Sequence, residues 1–275
     1  YLPEIQRNFD YLDTFPTERA SLKELMVFLE EAIDIQERHF RLHWILNLAQ
    51  FQSSMDLQAA VGEVIGQVDP SLVGRILISI KDRNWDSLEA LWQLKEKVKA
   101  DPALKAVFEA GETATAIIPE LATSDKGQAF LADVEAYCQE YGVKPTMYSH
   151  EYIYKLWVED PTPAIETIKG YLTADYDFPT EYQRMVDDHH AAIAELKALI
   201  PETASPEQRE KLNTAVDLAT RMMPLTPDHH FYMDQGTFAR TRLVLMAVGR
   251  KMVQEGLLRD PEDIMFLEYD QLRAY

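Results

Sequence analysis

The chain has 275 residues, 47% of them hydrophobic, with ten glycines, one cysteine and a formal charge of −19. The apolar content excludes disorder, and so few glycines argue against a nucleotide-gripping α/β fold and for an all-helical one. The charge argues strongly against a nucleic-acid surface, where Lys and Arg must neutralise phosphates, and against contact with anionic membrane.

A lone Cys138 leaves no internal disulfide and no cysteine-built zinc site, as expected of a cytoplasmic protein. No apolar run approaches the ~18 residues that span a bilayer. The chain starts at Tyr1 with neither Met nor a charged-then-apolar leader, which suggests trimming or a domain cut from a longer protein.

In chain order, Leu22, Leu25, Met26, Leu29, Ile33 and Phe40 recur at helical spacing behind Ser21, and Glu24 completes a capping box. The pattern runs past His43, Trp44 and Leu48 to about Val64, as two or three helices or one long kinked one, until Asp69-Pro70 breaks it. A short helix is expected over 71–80, and a second capped by Asp86 and running to Val98. A third starts at Asp101-Pro102, with Pro where its missing N–H costs nothing.

Residues 111–123 read as a looser stretch. Asp125–Tyr141 reads as a helix stopped by Gly142. The stretch 143–163 is irregular and aromatic, with Tyr148, Tyr152, Tyr154 and Trp157 between prolines. Helices follow at about 162–172, 179–200, 205–223 and 227–256, and Ile264–Leu267 is the one plausible extended segment. The fold class is therefore all-α: one multi-helix domain over 1–275, divisible into lobes 1–142 and 143–275.

Three polar clusters interrupt apolar surroundings. His39 and His43 lie four apart and share a helix face, a spacing that suits two imidazoles on one metal. Arg38 and Arg41 would repel a cation, however, and no Glu occupies the zincin position, so no metal site is assigned. The alternatives are a pair at the edge of a core with Trp44 buried, or the wall of a ligand cleft. Asp187-Asp188-His189-His190 reads as a solvated helix face with partners such as Arg184–Asp188.

The third cluster is Asp228-His229-His230-Phe231-Tyr232-Met233-Asp234-Gln235. Asp228 suits an N-cap, and His230 and Asp234 lie one turn apart. A carboxylate beside an imidazole sets its tautomer and raises its basicity, as a general base for a hydroxyl requires. A cap plus a buried His–Asp hydrogen bond accounts for the same residues. Arg240, Arg242, Arg250 and Lys251 form a basic stripe that acidic neighbours would neutralise. Walker, Rossmann and nucleophile-elbow motifs are absent, as are the repeated Glu-x-x-His pairs of a di-iron site.

The stretch from Asp228 through Gln235, then Arg242–Val253, then Gly256-Leu257-Leu258-Arg259-Asp260-Pro261 to Leu267, resembles the segment before the mobile phosphohistidine domain of phosphoenolpyruvate synthase-like phosphotransferases. Rifampicin phosphotransferase and the phenylphosphate synthase type belong to that family. Weaker similarity extends to Phe130–Gly142, Trp157–Pro161 and the His39–Trp44 helix.

The resemblance implies a substrate-binding domain or subunit that is not catalytic alone. An ATP-grasp domain elsewhere would use ATP and Mg to phosphorylate a histidine, which delivers the phosphate to a small hydroxylated acceptor, phenolic or aromatic. His230 and Asp234 would be catalytic. Tyr232 and Arg240 would bind substrate, with His39, His43 and Trp44 on the facing helix. This chain would itself bind no cofactor and would meet neither nucleic acid nor membrane. No Gly-rich ATP loop and no histidine-bearing Thr-Gly-Gly segment is found, and Gly142-Val143-Lys144 stands where Gly-His-Arg is common. The rival readings are a non-catalytic small-molecule-binding or scaffold protein, and a metalloenzyme using His39, His43 and His230.

Overall fold

The computed structural model describes residues 1–147 and 150–273; Tyr148 lies outside them. The fold is all-α, and the described residues contain no strand, only an isolated antiparallel bridge between Pro145 and Leu156. The α-helices are α1 (Leu2–Thr14), α2 (Leu22–Val64), α3 (Pro70–Ile76), α4 (Arg83–Ala100), α5 (Pro102–Ala110), α6 (Ala114–Leu121), α7 (Asp125–Tyr141) and α8 (Thr162–Thr173). They continue as α9 (Phe178–Ala198), α10 (Pro206–Met222), α11 (Leu225–His229), α12 (Phe238–Gln254) and α13 (Tyr269–Arg273). A π-helix, His230–Thr237, precedes α12, and a 3-10 helix, Pro261–Phe266, follows it.

The helix starts follow the expected chemistry. Asp69, Asp101, Ser124, Asp177 and Ser205 each accept a hydrogen bond from a first-turn backbone N–H, satisfying donors that have no intrahelical partner. The Ser21–Glu24 capping box forms as read, and α2 is a single unbroken helix.

Five local expectations are corrected. Residues 111–123 hold a true helix, α6, whose first free N–H (Ala114) is taken by Glu166 Oε1 at 2.6 Å. The start of α4 is capped by Asp82 rather than Asp86, with Asn84 N donating at 2.9 Å. Asp228 caps nothing in its own helix: it accepts the Arg83 backbone N–H at 2.9 Å. Asp188 pairs with Arg75 rather than Arg184, and His189 is buried. The segment 264–267 is 3-10 helix rather than strand, closed by an Asp260–Asp263 capping box.

The chain divides into two compact units, neither contiguous in sequence. The expected lobes were contiguous halves; the units instead alternate along the sequence, with α2, α4 and α8 each shared between them. The first comprises Tyr1–His43, Glu96–Lys169 and His230–Tyr275. Its core joins Leu22, Leu25, Phe28, Leu29, Ala32 and Ile35 of α2 to Val244, Val248 and Met252 of α12, with Ile264 and Leu272 closing it. Phe15 stacks on Phe28 at 3.8 Å between ring centroids.

The second unit comprises Trp44–Lys95 and Gly170–His229. In it Leu57, Val61 and Val64 of α2 pack with Leu72 and Ile76 of α3, Leu196 of α9, and Leu212 and Val216 of α10. Arg75 fastens α3 to α9 through Asp188 and Glu195. No helix among the described residues is long and apolar enough to cross a membrane.

Candidate functional site

The site is built where the first half of α2 meets the π-helix, within the first unit. A π turn bonds i to i+5 and is uncommon outside functional segments. Residues His230–Thr237 form such a π-helix, and the Thr237 side-chain hydroxyl additionally donates to the Tyr232 carbonyl at 3.2 Å. The one-helix expectation for 227–256 therefore fails at this segment, which α11 precedes and α12 follows.

Asp234, at 1% exposure, is the centre. His43 Nδ1 lies 2.8 Å from its Oδ1 and His230 Nε2 lies 3.5 Å from its Oδ2. Despite these short separations, neither carboxylate oxygen accepts a well-directed hydrogen bond among the described residues. The two imidazole rings face one another, with centroids 6.1 Å apart and planes 23° from parallel. His43 is buried, whereas His230 is about one-third exposed. Burial pushes the His230 imidazole below its usual range, with Asp234 pulling it back and His43 and His150 adding to the depression. The donor atoms of His43, His230 and Asp234 all lie within 4.8 Å of one another, a grouping that could hold a metal ion.

An aromatic wall adjoins this centre. Phe40 stacks on His43 at 5.3 Å and meets Phe238 and His150 edge-on at 6.4 and 6.2 Å. Phe238 packs on His150 at 4.8 Å and on Tyr152 at 6.0 Å, and the Tyr152 hydroxyl donates to Gln36 Oε1 at 2.8 Å. The irregular segment holding Tyr152 is fastened to α12 by Arg242, which grips Glu159 through two bonds of 2.7 and 3.0 Å and also bonds the Tyr152 carbonyl.

The other expected site residues are placed differently. His39 is 1% exposed, and both ring nitrogens meet protein: Asn8 at 2.9 Å and Thr237 at 2.8 Å. With the Asn8 amide donating to Nε2, Nδ1 carries the proton to the threonine oxygen, which in turn donates to Tyr232. Burial holds this ring neutral, its pKa down at about 4. Arg240 is held by Asp13 at 2.8 Å and by the Gly236 carbonyl, and its guanidinium lies over the Phe9 ring. Tyr232 packs edge-on against Phe231 at 5.1 Å. Trp44 belongs to the second unit and is 55% exposed, which corrects its expected burial.

Sequence reasoning paired His230 with Asp234 through helical spacing. It missed the tighter approach of His43 Nδ1, which joins residues 191 positions apart, and the parts played by Phe238, His150 and Tyr152. The resemblance alone had set His43 on a facing helix.

The chain is similar over nearly its whole length to larger proteins. It is 26% identical over 273 residues, 99% of this chain and 32% of the relative, to an "uncharacterized phosphotransferase YvkC" of Bacillus subtilis. It is 25% identical over 98% of the chain to chondramide synthase cmdD of Chondromyces crocatus, where it covers 7% of that protein. Over 66% of the chain it is 24% identical to the prodigiosin synthesizing transferase PigC of Serratia marcescens, covering 20% of it. The chain thus spans about a third or less of the curated relatives it matches.

The family model described as "rifampicin phosphotransferase fourth domain" matches residues 48–226. That match stops where the most specific resemblance read from the sequence begins, so the two rest on different residues. With about two-thirds of its length so matched, the chain belongs to the rifampicin phosphotransferase fourth-domain family, a helical phosphotransferase-family domain.

Proposed function

We propose that this domain holds the acceptor in an ATP-dependent, dikinase-type phosphotransferase, and that the acceptor is a small hydroxylated aromatic compound. ATP, Mg and the phosphohistidine reside on another domain or subunit. The observation that carries this reading is the buried Asp234 carboxylate between two imidazoles, beside the wall of Phe40, His150, Phe238 and Tyr152. Ligand sites are mostly apolar with a few placed polar groups, and this arrangement has that character.

In this reading His230 carries its proton on Nε2, facing the negative Asp234 carboxylate at 3.5 Å, and offers the Nδ1 lone pair to the acceptor's proton. As the acceptor oxygen attacks the phosphorus, its O–H bond breaks, the proton passes to His230 and the phosphoryl group leaves the phosphohistidine nitrogen. The aromatic wall holds the ring of the acceptor so that its hydroxyl reaches His230, which is where positioning lowers the barrier. The names of the relatives, a phosphotransferase and a synthesizing transferase among them, agree with group transfer without naming the acceptor.

The test is a thermal-shift screen of the chain against phenols, alcohols and aromatic natural products, with ATP as the control. A ligand at a hundred times its Kd stabilises the native state by ~2.7 kcal/mol, which for a chain this size raises Tm by about 5 °C. Stabilisation by one hydroxylated aromatic class but not by ATP is expected. Stabilisation by ATP, or by nothing in the screen, would overturn the acceptor-domain assignment. With donor domains supplied, His230→Asn should then slow phosphoryl transfer by about 10²–10⁴-fold.

A further inference from the structure

We infer that His43 Nδ1, His230 Nε2 and a carboxylate oxygen of Asp234 together ligate one divalent transition-metal ion. Three observations carry it. The donors are two imidazoles and one carboxylate, a set that suits zinc and its neighbours, in contrast to the oxygen cages of magnesium and calcium. Their separations also fit. Bonds of 2.0–2.1 Å in a tetrahedral shell put ligand atoms about 3.3–3.4 Å apart, and the two measured edges, 2.8 and 3.5 Å, bracket that value.

The third observation is Asp234 itself. It is 99% removed from solvent, yet neither oxygen accepts a directed hydrogen bond among the described residues. A buried carboxylate whose neighbouring imidazoles are poorly directed for hydrogen bonding is costly, and an ion between it and the imidazoles would meet that demand. The π-helix supplies His230 and Asp234 from one side and α2 supplies His43 from the other, so the ligands are preset by the fold.

His39 and His43, four apart on α2, have the spacing of a ligand pair. The structure removes His39, whose two nitrogens are engaged by Asn8 and Thr237, and puts Asp234 in its place. The site does not depend on the acceptor reading, since metal binding is measured on the chain alone. Where both hold they exclude one another: an imidazole bound through Nε2 carries its proton on Nδ1 and takes no second one. Zinc would therefore suppress transfer.

The experiment is a zinc titration of the full, metal-stripped chain against a chromophoric chelator, with cobalt as the spectroscopic probe. One zinc per chain and the intense visible bands of tetrahedral cobalt are expected. His43→Ala, His230→Ala and Asp234→Asn should each weaken zinc by tenfold or more, while exposed His190→Ala leaves it unchanged. Circular dichroism and a melting curve on each variant separate lost ligands from lost folding, with Asp234→Asn as the closest isostere. Absence of binding overturns the site, as does zinc retained at full affinity in folded Asp234→Asn, or an octahedral cobalt spectrum.

Discussion

Replacing Arg242 with Met tests how the aromatic wall is held. Arg242 is 1% exposed, and its fork meets Glu159 Oε2 and Oε1 at 2.7 and 3.0 Å. A third nitrogen interaction reaches the Tyr152 carbonyl, and Glu262 lies 3.7 Å away. Methionine keeps much of the apolar stem but deletes every donor. Among the described residues Glu159 then retains the Leu156 N–H at 2.8 Å, and the Tyr152 carbonyl loses its side-chain donor. Breaking a buried ion pair on one side costs about 3–5 kcal/mol. Glu159 is partly wetted, so the lower end applies, about 3 kcal/mol.

With a urea slope of about 3 kcal/mol per molar, the unfolding midpoint should fall by about 1 M. Tryptophan fluorescence is a suitable probe because Trp157 sits in the fastened segment. Glu159→Gln and the double variant complete a cycle, in which a coupling of about 1–3 kcal/mol is expected. Arg242→Lys should recover only part of the loss, because an ammonium cannot make the fork. A midpoint within 0.3 M of the parent, or strictly additive single costs (both on the order of measurement error), would refute the fastening argument.

Two further predictions concern stability. His39 has a native pKa of about 4 against an ordinary 6.5, so its contribution is complete above pH 6.5 and is lost as pH falls from 6.5 towards 4, where the unfolded chain binds a proton that the native ring refuses. The loss is at most about 3 kcal/mol, with Glu4 opposing the depression and Arg38 and Arg240 adding to it; His39→Gln should flatten that limb of the pH–stability curve, and an unchanged limb would exclude His39 as its source. Gly249→Ala would set a Cβ 2.3 Å from the Pro261 carbonyl oxygen and 3.2 Å from Ile264, and so should cost about 2–3 kcal/mol in a melting experiment. Gly74→Ala meets nothing within 4 Å and should instead gain up to about 1 kcal/mol; equal effects at the two positions would contradict the close approach of α12 to the 3-10 helix.

Local chemistry made much of the fold legible. Asp69-Pro70, Asp101-Pro102, Ser124 and Ser205 carry their helix starts in the first turn alone, and each cap forms. The failures are places where distant residues decide. The helix α6 begins at Thr113, whose side chain makes no cap bond, and contains Pro119, so by local rules it should be loose; Glu166, 52 residues on, takes its first free N–H. The helix α1 opens at Tyr1 without a side-chain cap and gains its place by burying Ile5, Phe9 and Leu12. The misread 264–267 segment was legible in principle, because Asp260-Pro261-Glu262-Asp263 spells a helical start that the apolar residues after it obscured. At the site, only the His230–Asp234 spacing could be read. No periodicity reports that Asp234 lies 2.8 Å from His43.

Two rungs join α2 to the π-helix, and the difference between them locates the chemistry. His39 meets Thr237 and His43 meets Asp234, each at 2.8 Å, so positions rise along α2 as they fall along the π-helix and the two run antiparallel there. On α2 the rungs are four residues apart, and on the π-helix three. At the first rung every group is matched: Asn8 donates to His39, His39 to Thr237, Thr237 to Tyr232, and burial keeps the ring neutral. Such a chain holds the helices in register and offers nothing to a ligand. At the second rung a carboxylate faces two imidazoles without a directed bond, one of them open to solvent. The matched rung fixes the geometry at which the mismatched one is presented. A protein under selection for stability alone would make both rungs like the first. The second rung is where the proposed proton transfer, or the proposed ion, would act.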